Sequence, residues 1–423
     1  MEKTLDNQPC RADNVRAIVD WILDGADGKS TRVGIEIEHQ VLRGDGGERV
    51  GYSGEHGIED LLTRMGENWP EKTYEDGHLM GLARTVDGID ETVTLEPGGQ
   101  VELSAGPFND MFTALEVLGD FEDELRGYLE PVGELAVQMG YAPVDKAGDI
   151  ELIPKKRYQF MDKHFSEIGP YGACMMRGTA STQVSIDFAN RKEAIRKMRL
   201  AYCAAPLISM MCDNTVMFEA ELREHYMVRT EVWNGVDQAR CGIIPGVLDD
   251  DWSLDKYAEW ILDTPAVVAV DEDGNTVNDE RTFGEIFADR VMTEDDVQHA
   301  ISMVFPDVRL KQYIEFRTAD ALPAKYAAAL AALIKGCFYA DSALDEMDKL
   351  FKGVTRKDVI LGKMALMAEG YEAEIYGKKA WKIAEQMNII AKLNLTKEER
   401  DILEPLTTYA FSHVTLAEMT VFE

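Results

Sequence analysis

Hydrophobic positions recur along this chain with two different periods, and the switches between them outline its elements. In residues 13–24, "DNVRAIVDWILD", Val15, Ile18, Val19 and Ile22 fall at helical spacing and predict a helix. Residues 32–41, "RVGIEIEHQV", alternate strictly, which is the period of a strand. A glycine-rich loop (43–54) and a short helix over 58–65 come next, then strand-like pieces at 79–84 and 91–104. The segment 110–139 reads as a helix interrupted near Pro131, because proline cannot donate to the helical ladder. A strand over 179–188 precedes a long helix over 191–212, and the Gly-, Asp- and Arg-rich stretch 228–251 predicts a loop.

Ser253 and Thr293 stand where helix N-caps belong, Thr293 with Asp296 in capping-box position. Residues 267–277 predict a hairpin around Asp-Gly-Asn, and 308–318 another strand. Beyond residue 321 the pattern is helical, with a further capping box at Thr396 and Glu399. Strands interspersed irregularly with helices predict an α+β fold with a largely antiparallel sheet. No linker divides the chain. The expectation is one domain over residues 1–423, its sheet core over about 30–320 and a helical region over about 321–423.

Four of the strands carry the same kind of polar face. In 32–41, Val33, Ile35 and Ile37 oppose Glu36, Glu38 and Gln40. In 92–104, Val93, Leu95, Val101 and Leu103 oppose Glu96, Gln100, Glu102 and Ser104, with Pro97-Gly98-Gly99 suggesting a kink between the two glutamates. In 179–188 the polar side holds Gln183, Ser185 and Asp187; in 312–320 it holds Tyr313, Glu315 and Arg317. One wet face on an antiparallel sheet is common. These faces, however, hold Glu, Gln and Arg and no lysine. Were the strands neighbours, Glu36, Glu38, Glu96, Glu102 and Glu315 would converge, and such a group needs cations to stay ionised. Hard divalent ions with oxygen ligands, Mg²⁺ or Mn²⁺, are the natural counter-charge. Such ions with an arginine beside them are the usual grip on a nucleotide's phosphates.

Charge narrows the function classes further. With 77 acidic against 44 basic residues the formal charge is −33, which repels phosphate backbones and argues against nucleic-acid binding. The N-terminus is polar, and the longest apolar run (201–212) is too short to span a bilayer and contains a proline. A cytoplasmic protein with no membrane partner is expected. The six cysteines are scattered without metal or disulfide spacing, which predicts reduced thiols. "GADGKS" (25–30) looks like a phosphate-binding loop, but the glycine that motif needs at position 23 is Leu23, and no strand precedes it.

The stretches "GIEIEHQ", "TLEPGGQVELS", "QVSIDF" and "FPDVRLKQYIEFRTAD" resemble, in order, the plant- and proteobacterial-type glutamate–cysteine ligases, carboxylate–amine ligases related in fold to glutamine synthetase. The resemblance runs from about residue 32 to about 340. It implies a cupped, mostly antiparallel sheet flanked by helices, with ATP as co-substrate and Mg²⁺ (or Mn²⁺) in the funnel. It implies small-molecule substrates, namely glutamate, cysteine or another amine, and ATP. ATP would phosphorylate glutamate's γ-carboxylate, and an amine would attack the acyl phosphate. By the same resemblance Glu36, Glu38, Glu96, Glu102 and Glu315 match metal ligands, with Glu315 and Arg317 at the reacting groups. Gln183 and Arg177 would lie on the substrate side, and Arg229 and Trp233 would hold glutamate's α-carboxylate. The sequence departs from the family pattern around that pocket. Gly178 stands where an arginine or small polar residue is usual, with Arg177 one step earlier, and Ser185 replaces an asparagine. The acceptor amine is therefore left open: cysteine, or another amine. A phosphotransferase or a non-catalytic binding protein on the same fold are the remaining readings.

Overall fold

The computed structural model describes residues 8–28, 30–44, 46–271 and 274–420. Its centre is a nine-stranded antiparallel sheet built from β1 (Val33–Arg43), β2 (Glu71–Glu75), β3 (His78–Val86), β4 (Ile89–Leu95), β5 (Val101–Phe108), β6 (Glu134–Val137), β7 (Ser181–Ile186), β8 (Val308–Leu310) and β9 (Ile314–Asp320). The order is β8-β9-β7-β1-β5-β4-β3-β2, with β6 on the far half of β1. The strands that carry the glutamates are thus neighbours. β1 lies between β5 and β7, β4 beside β5, and β9 beside β7.

The apolar faces read from the alternation form the back of this sheet. Val33, Ile35, Ile37, Val101, Leu103, Val184, Ile186 and Ile314 are all buried. They are covered by α3 (Met111–Leu129), α5 (Arg191–Met211) and the Ala-rich helix Ala324–Phe338, which lets the backbones approach closely. One continuous core runs from Ile18 to Leu416, so the helical C-terminal residues share it with the sheet. Among the described residues no single helix is long and apolar enough to cross a membrane. The expected caps form: Ser253 accepts from the Lys256 amide, and Thr293/Asp296 and Thr396/Glu399 are complete capping boxes.

The structure corrects several boundaries. The 91–104 segment is not one kinked strand. The Glu96 amide bonds the Gln100 carbonyl and the Gly99 amide bonds Glu96, so Pro97-Gly98-Gly99 closes a tight hairpin between β4 and β5. Gly99 sits at φ +77°, a conformation that favours glycine. The helix over 110–139 stops at Leu129, and Glu134–Val137 turns back as β6 to pair with β1. The 308–318 strand is two strands folded about residues 311–313. The 228–251 stretch opens with a short helix, α6 (Val228–Asn234). The 267–277 hairpin forms from Pro265–Val270 and Thr276–Thr282, although Asp273 lies outside the described residues. Helix α4 (Lys156–Ile168) was not read from the sequence; its buried Met161 and Phe165 face inward one turn apart. Also among the described residues, α1 spans Arg11–Asp24 and α2 spans Ile58–Met65. α4 and α6 stand over the polar face of the sheet and close it into a cleft.

Candidate active site

The cleft between the sheet and α4/α6 has a volume of about 300 Å³. Its floor comes from β1, β4, β5 and β7, and the registers explain its charge. Glu38 lies directly opposite Glu102, while Glu36 lies opposite Ser104 on one side and Gln183 on the other. Glu96, at the end of β4, leans in from the hairpin turn. Directly opposed like charges destabilise a sheet. Here four carboxylates share one wall, and the fold offers them few partners.

Glu38 is the best satisfied, its two oxygens accepting from the Ser181 amide (2.9 Å) and hydroxyl (2.6 Å). Glu102 accepts from Thr94 Oγ1 at 2.8 Å and from Ser104 Oγ at 3.3 Å. Burial raises all four carboxyl pKa values, and repulsion from neighbouring carboxylates adds to it at Glu36, Glu96 and Glu102. Glu36, with Glu102 and Glu315 beside it, is pushed up to about 8. Glu102, beside Glu96 and Glu38, also rises to about 8, and Glu96, beside Glu38, to about 7. Glu38 is raised by burial too, against the pull of Arg229.

A second, cationic wall comes from the β8–β9 hairpin, which continues the same sheet beyond β7. Glu315, fully buried, is held by Arg309 at 2.7 Å, Lys311 at 2.8 Å and Arg317 at 3.0 Å. Burial opposes its ionisation, yet these three cations outweigh burial and hold its carboxyl well below the usual range. This alters the expected set of five alike carboxylates. Glu36, Glu38, Glu96 and Glu102 line the cleft, whereas Glu315 sits behind it, already neutralised and anchoring cations. A metal would reach Glu315 by displacing one of them. Arg317 extends past Glu315 to donate to the Gln183 amide oxygen, and it lines the cleft as expected.

Arg229 and Trp233, one turn apart on α6, both line the cleft, the guanidinium 5.2 Å from the indole centroid. Trp233 Nε1 is buried and unpartnered, as is Arg157 Nε on α4. Two buried, unspent donors in one cleft are what an anionic ligand would satisfy. Arg177, by contrast, is not brought into the cleft. It pairs with Asp162 (2.6 Å) and the Ile150 carbonyl (3.1 Å), while its neighbours Met175, Met176 and Thr179 form the wall. Gly178 has a packing reason: a Cβ there would lie 2.4 Å from the Tyr141 ring.

Residues the sequence reading passed over are Arg309, Lys311, Arg157 and Tyr158. The first two were legible. In "RLKQYIEFR", Arg309, Lys311, Tyr313, Glu315 and Arg317 recur every second residue, and Arg309 pairs with Glu315 across the hairpin. Arg157 and Tyr158 lie on the unread helix α4, where no local pattern marks them as functional.

The donor chemistry suits a hard cation, because the cleft's acidic wall offers carboxylate oxygens only. Among the described residues no three His, Cys, Asp or Glu side chains are already gathered around one point, so the carboxylates ring a space and do not grip an ion as placed.

Three comparisons bear on this arrangement. The family described as Glutamate-cysteine ligase family 2 (GCS2) matches residues 32–400. The chloroplastic glutamate–cysteine ligase of Arabidopsis thaliana is 28% identical over 295 residues, covering 68% of this chain and 56% of that protein. Chloroplastic glutamate–cysteine ligase B of Oryza sativa subsp. japonica is 25% identical over 415 residues, covering 94% of this chain and 81% of that protein. Among solved structures, glutamate–cysteine ligase from Francisella tularensis in complex with AMP superposes with a TM-score of 0.56 at 10% identity, over 92% of this chain and 84% of that one. That likeness concerns the fold. The family match spans both walls of the cleft, and the chain belongs to glutamate-cysteine ligase family 2.

Proposed function

We propose that this chain is an ATP- and Mg²⁺-dependent ligase that joins the γ-carboxylate of L-glutamate to the amine of L-cysteine, the first step of glutathione-type thiol synthesis. The observation that carries the reading is the pairing of two unlike sets of side chains in one cleft: four under-partnered carboxylates together with Arg309, Lys311 and Arg317. A carboxylate is a poor electrophile. An oxygen of glutamate's γ-carboxylate attacks the γ-phosphorus of ATP, the bond to the ADP oxygen breaks, and a γ-glutamyl phosphate results. The amine nitrogen then attacks the acyl carbon, inorganic phosphate leaves, and the nitrogen sheds a proton.

Each wall has a part in this sequence. Arg317, steadied by Glu315 and Gln183, faces the charge that develops on the transferring phosphoryl group. Arg229 and the Trp233 N–H suit the substrate's α-carboxylate. Glu36, Glu38, Glu96 and Glu102 would hold Mg²⁺, which when bound supplies charge neutralisation for the phosphates. Met175, Met176 and Met161 give the cleft a polarizable apolar side, and a thiol-bearing acceptor fits that lining.

The test is ADP release with glutamate and a panel of amines, followed by product analysis. Amide formation with equimolar ADP and phosphate, fastest with cysteine, is expected. ADP release that no amine stimulates would end the reading. A phosphorylated acceptor without free phosphate would point to a phosphotransferase instead.

A further inference from the structure

The β8–β9 hairpin sets a second pair of opposite charges across its ladder, and this pair does not close. Val308 lies opposite Phe316, and Arg309 opposite Glu315. One step further the Arg317 amide donates to the Asp307 carbonyl at 3.1 Å, so Asp307 and Arg317 are cross-strand neighbours too. Directly opposed residues in an antiparallel ladder have Cβ atoms about 4.5–5.5 Å apart, and opposite charges there attract. Arg309 and Glu315 obey this rule, with Nε 2.7 Å from the carboxylate. Arg317 turns elsewhere, to Glu315 and the Gln183 amide oxygen.

A residue from outside the sheet explains the exception. Lys363, on the helix Arg356–Glu369, donates from Nζ to the Asp307 carboxylate, and both residues are buried. That helix packs against α5 and α6. A buried ammonium needs a partner, and Asp307 provides it. Without Lys363, Asp307 would be a buried carboxylate with a guanidinium for its neighbour. Asp307 and Arg317 also border one cavity of about 20 Å³, together with Arg229 and Trp233. The aspartate thus shares a space with guanidiniums that the cleft needs free.

We propose that Lys363 is a positioning residue of the ligase: by engaging Asp307 it keeps that carboxylate from capturing Arg317, which stays turned toward the cleft. The inference rests on the ligase reading. Lys363 does not line the cleft, and it acts through Asp307 and Arg317. The helical region beyond the sheet thereby gains a part in turnover.

Amine-dependent ADP release by the full chain, with the unfolding temperature read alongside, tests this. Lys363→Met leaves Asp307 charged beside Arg317. Its kcat should fall at least about tenfold, within the 10²–10³-fold scale, roughly, for losing one donor to developing charge. Asp307→Asn removes the competing carboxylate instead. It should keep kcat within about threefold of wild type, although it too breaks the buried pair and lowers the unfolding temperature. The double variant Lys363→Met/Asp307→Asn should recover kcat, and so should Lys363→Arg, which keeps the charge. In an Arg317→Met background, Lys363→Met should cost no further kcat, because no guanidinium is left to capture. A pair that only braces the fold would give kcat losses that track the unfolding temperature in both single variants. Wild-type kcat in Lys363→Met, equal losses in Lys363→Met and Asp307→Asn, or a double variant as slow as Lys363→Met would overturn the proposal and leave the ligase reading standing. Should Lys363→Met not fold, Asp307→Asn and the double variant decide: turnover near wild type in both upholds the proposal, and a loss of about tenfold in either overturns it. A wild-type chain whose ADP release no amine stimulates would overturn the ligase reading and this proposal together.

Discussion

The two walls of the cleft hold the same residue type in opposite electrostatic states. Along β1, β4 and β5 four glutamates crowd together; burial raises the pKa of each and keeps protons on Glu36, Glu96 and Glu102 toward neutral pH. On β9, Glu315 is more deeply buried, yet three cations keep it ionised. Burial raises the free energy of the charged form at both places. What differs is what the fold supplies in return. The hairpin wall is complete as it stands; the carboxylate wall is complete only with an external cation. Stability and activity are therefore built into different walls, and mutations can separate them.

The largest separation is expected between Glu315→Gln and Glu36→Gln. Removing the Glu315 charge strands Arg309, Lys311 and Arg317 together in a buried site, and breaking such a network costs about 3–5 kcal/mol. Glu36→Gln removes repulsion instead, so the metal-free chain should unfold at an equal or higher denaturant concentration. Both variants should lose turnover. Chemical denaturation without divalent ions reads the contrast, and equal destabilisation of the two would break it. Next in size is Arg317→Met. Arg309 and Lys311 still neutralise Glu315, so folding should persist while kcat falls about 10²–10³-fold, the scale for losing one donor aimed at developing charge. A loss confined to KM would place Arg317 in ground-state binding only.

The carboxylate wall should also show in the pH dependence of stability. Unfolded glutamates ionise near 4.5, whereas folded Glu36 and Glu102 keep protons to about 8 and Glu96 to about 7. Between those limits the folded chain binds more protons than the unfolded one, so stability falls as pH rises. The unfolding temperature of the metal-free chain should therefore drop from pH 6 to pH 8.5. Added Mg²⁺ should restore more of it at the higher pH, because carboxylates must lose protons to bind metal. A flat profile would mean that the four carboxylates are better satisfied than their hydrogen bonds indicate.

Strict alternation made the sheet legible, because one face of every site strand packs in the core and the other lines the cleft. Period alone puts Glu36 with Glu38, and Glu102, Gln183 and Arg317 each on the polar side of its own strand. That these sides form one surface depends on strand adjacency. The ladder registers supply it for Glu36, Glu38, Glu102 and Gln183, and the Arg317–Gln183 hydrogen bond supplies it for Arg317. Two features escaped. The difference between Glu315 and the other glutamates depends on Arg309 and Lys311 folding back across a hairpin, and a reading of 308–318 as one strand hides that turn. Helix α4, with Arg157 and Tyr158, lies in a stretch whose apolar residues are sparse, and tertiary packing against the 265–282 hairpin holds it there. Arg177 shows the reverse error. Its motif position is beside the pocket, but the short π-helical turn over Cys174–Gly178 points it to Asp162 and turns the methionines inward.

The smallest test concerns one hydroxyl. Thr94 lies opposite Glu102 in the β4–β5 ladder, and its Oγ1 donates to Glu102 Oε1 at 2.8 Å. That bond favours the ionised carboxylate and so restrains the rise that burial, Glu96 and Glu38 impose. Thr94→Val keeps the shape and the strand preference but deletes the donor. A net hydrogen bond is worth about 0.5–1.5 kcal/mol, which corresponds to about one pKa unit or less. Glu102 should then hold its proton to higher pH, and the midpoint for Mn²⁺ binding, followed by water-proton relaxation, should move up by that amount. Well above both midpoints the variant and the wild type should bind alike. A midpoint that does not move would remove Glu102 from the groups whose ionisation gates the cation. A midpoint that moves only upward, with the plateau kept, would show that even on the under-partnered wall the fold spends a side chain on holding a charge ready.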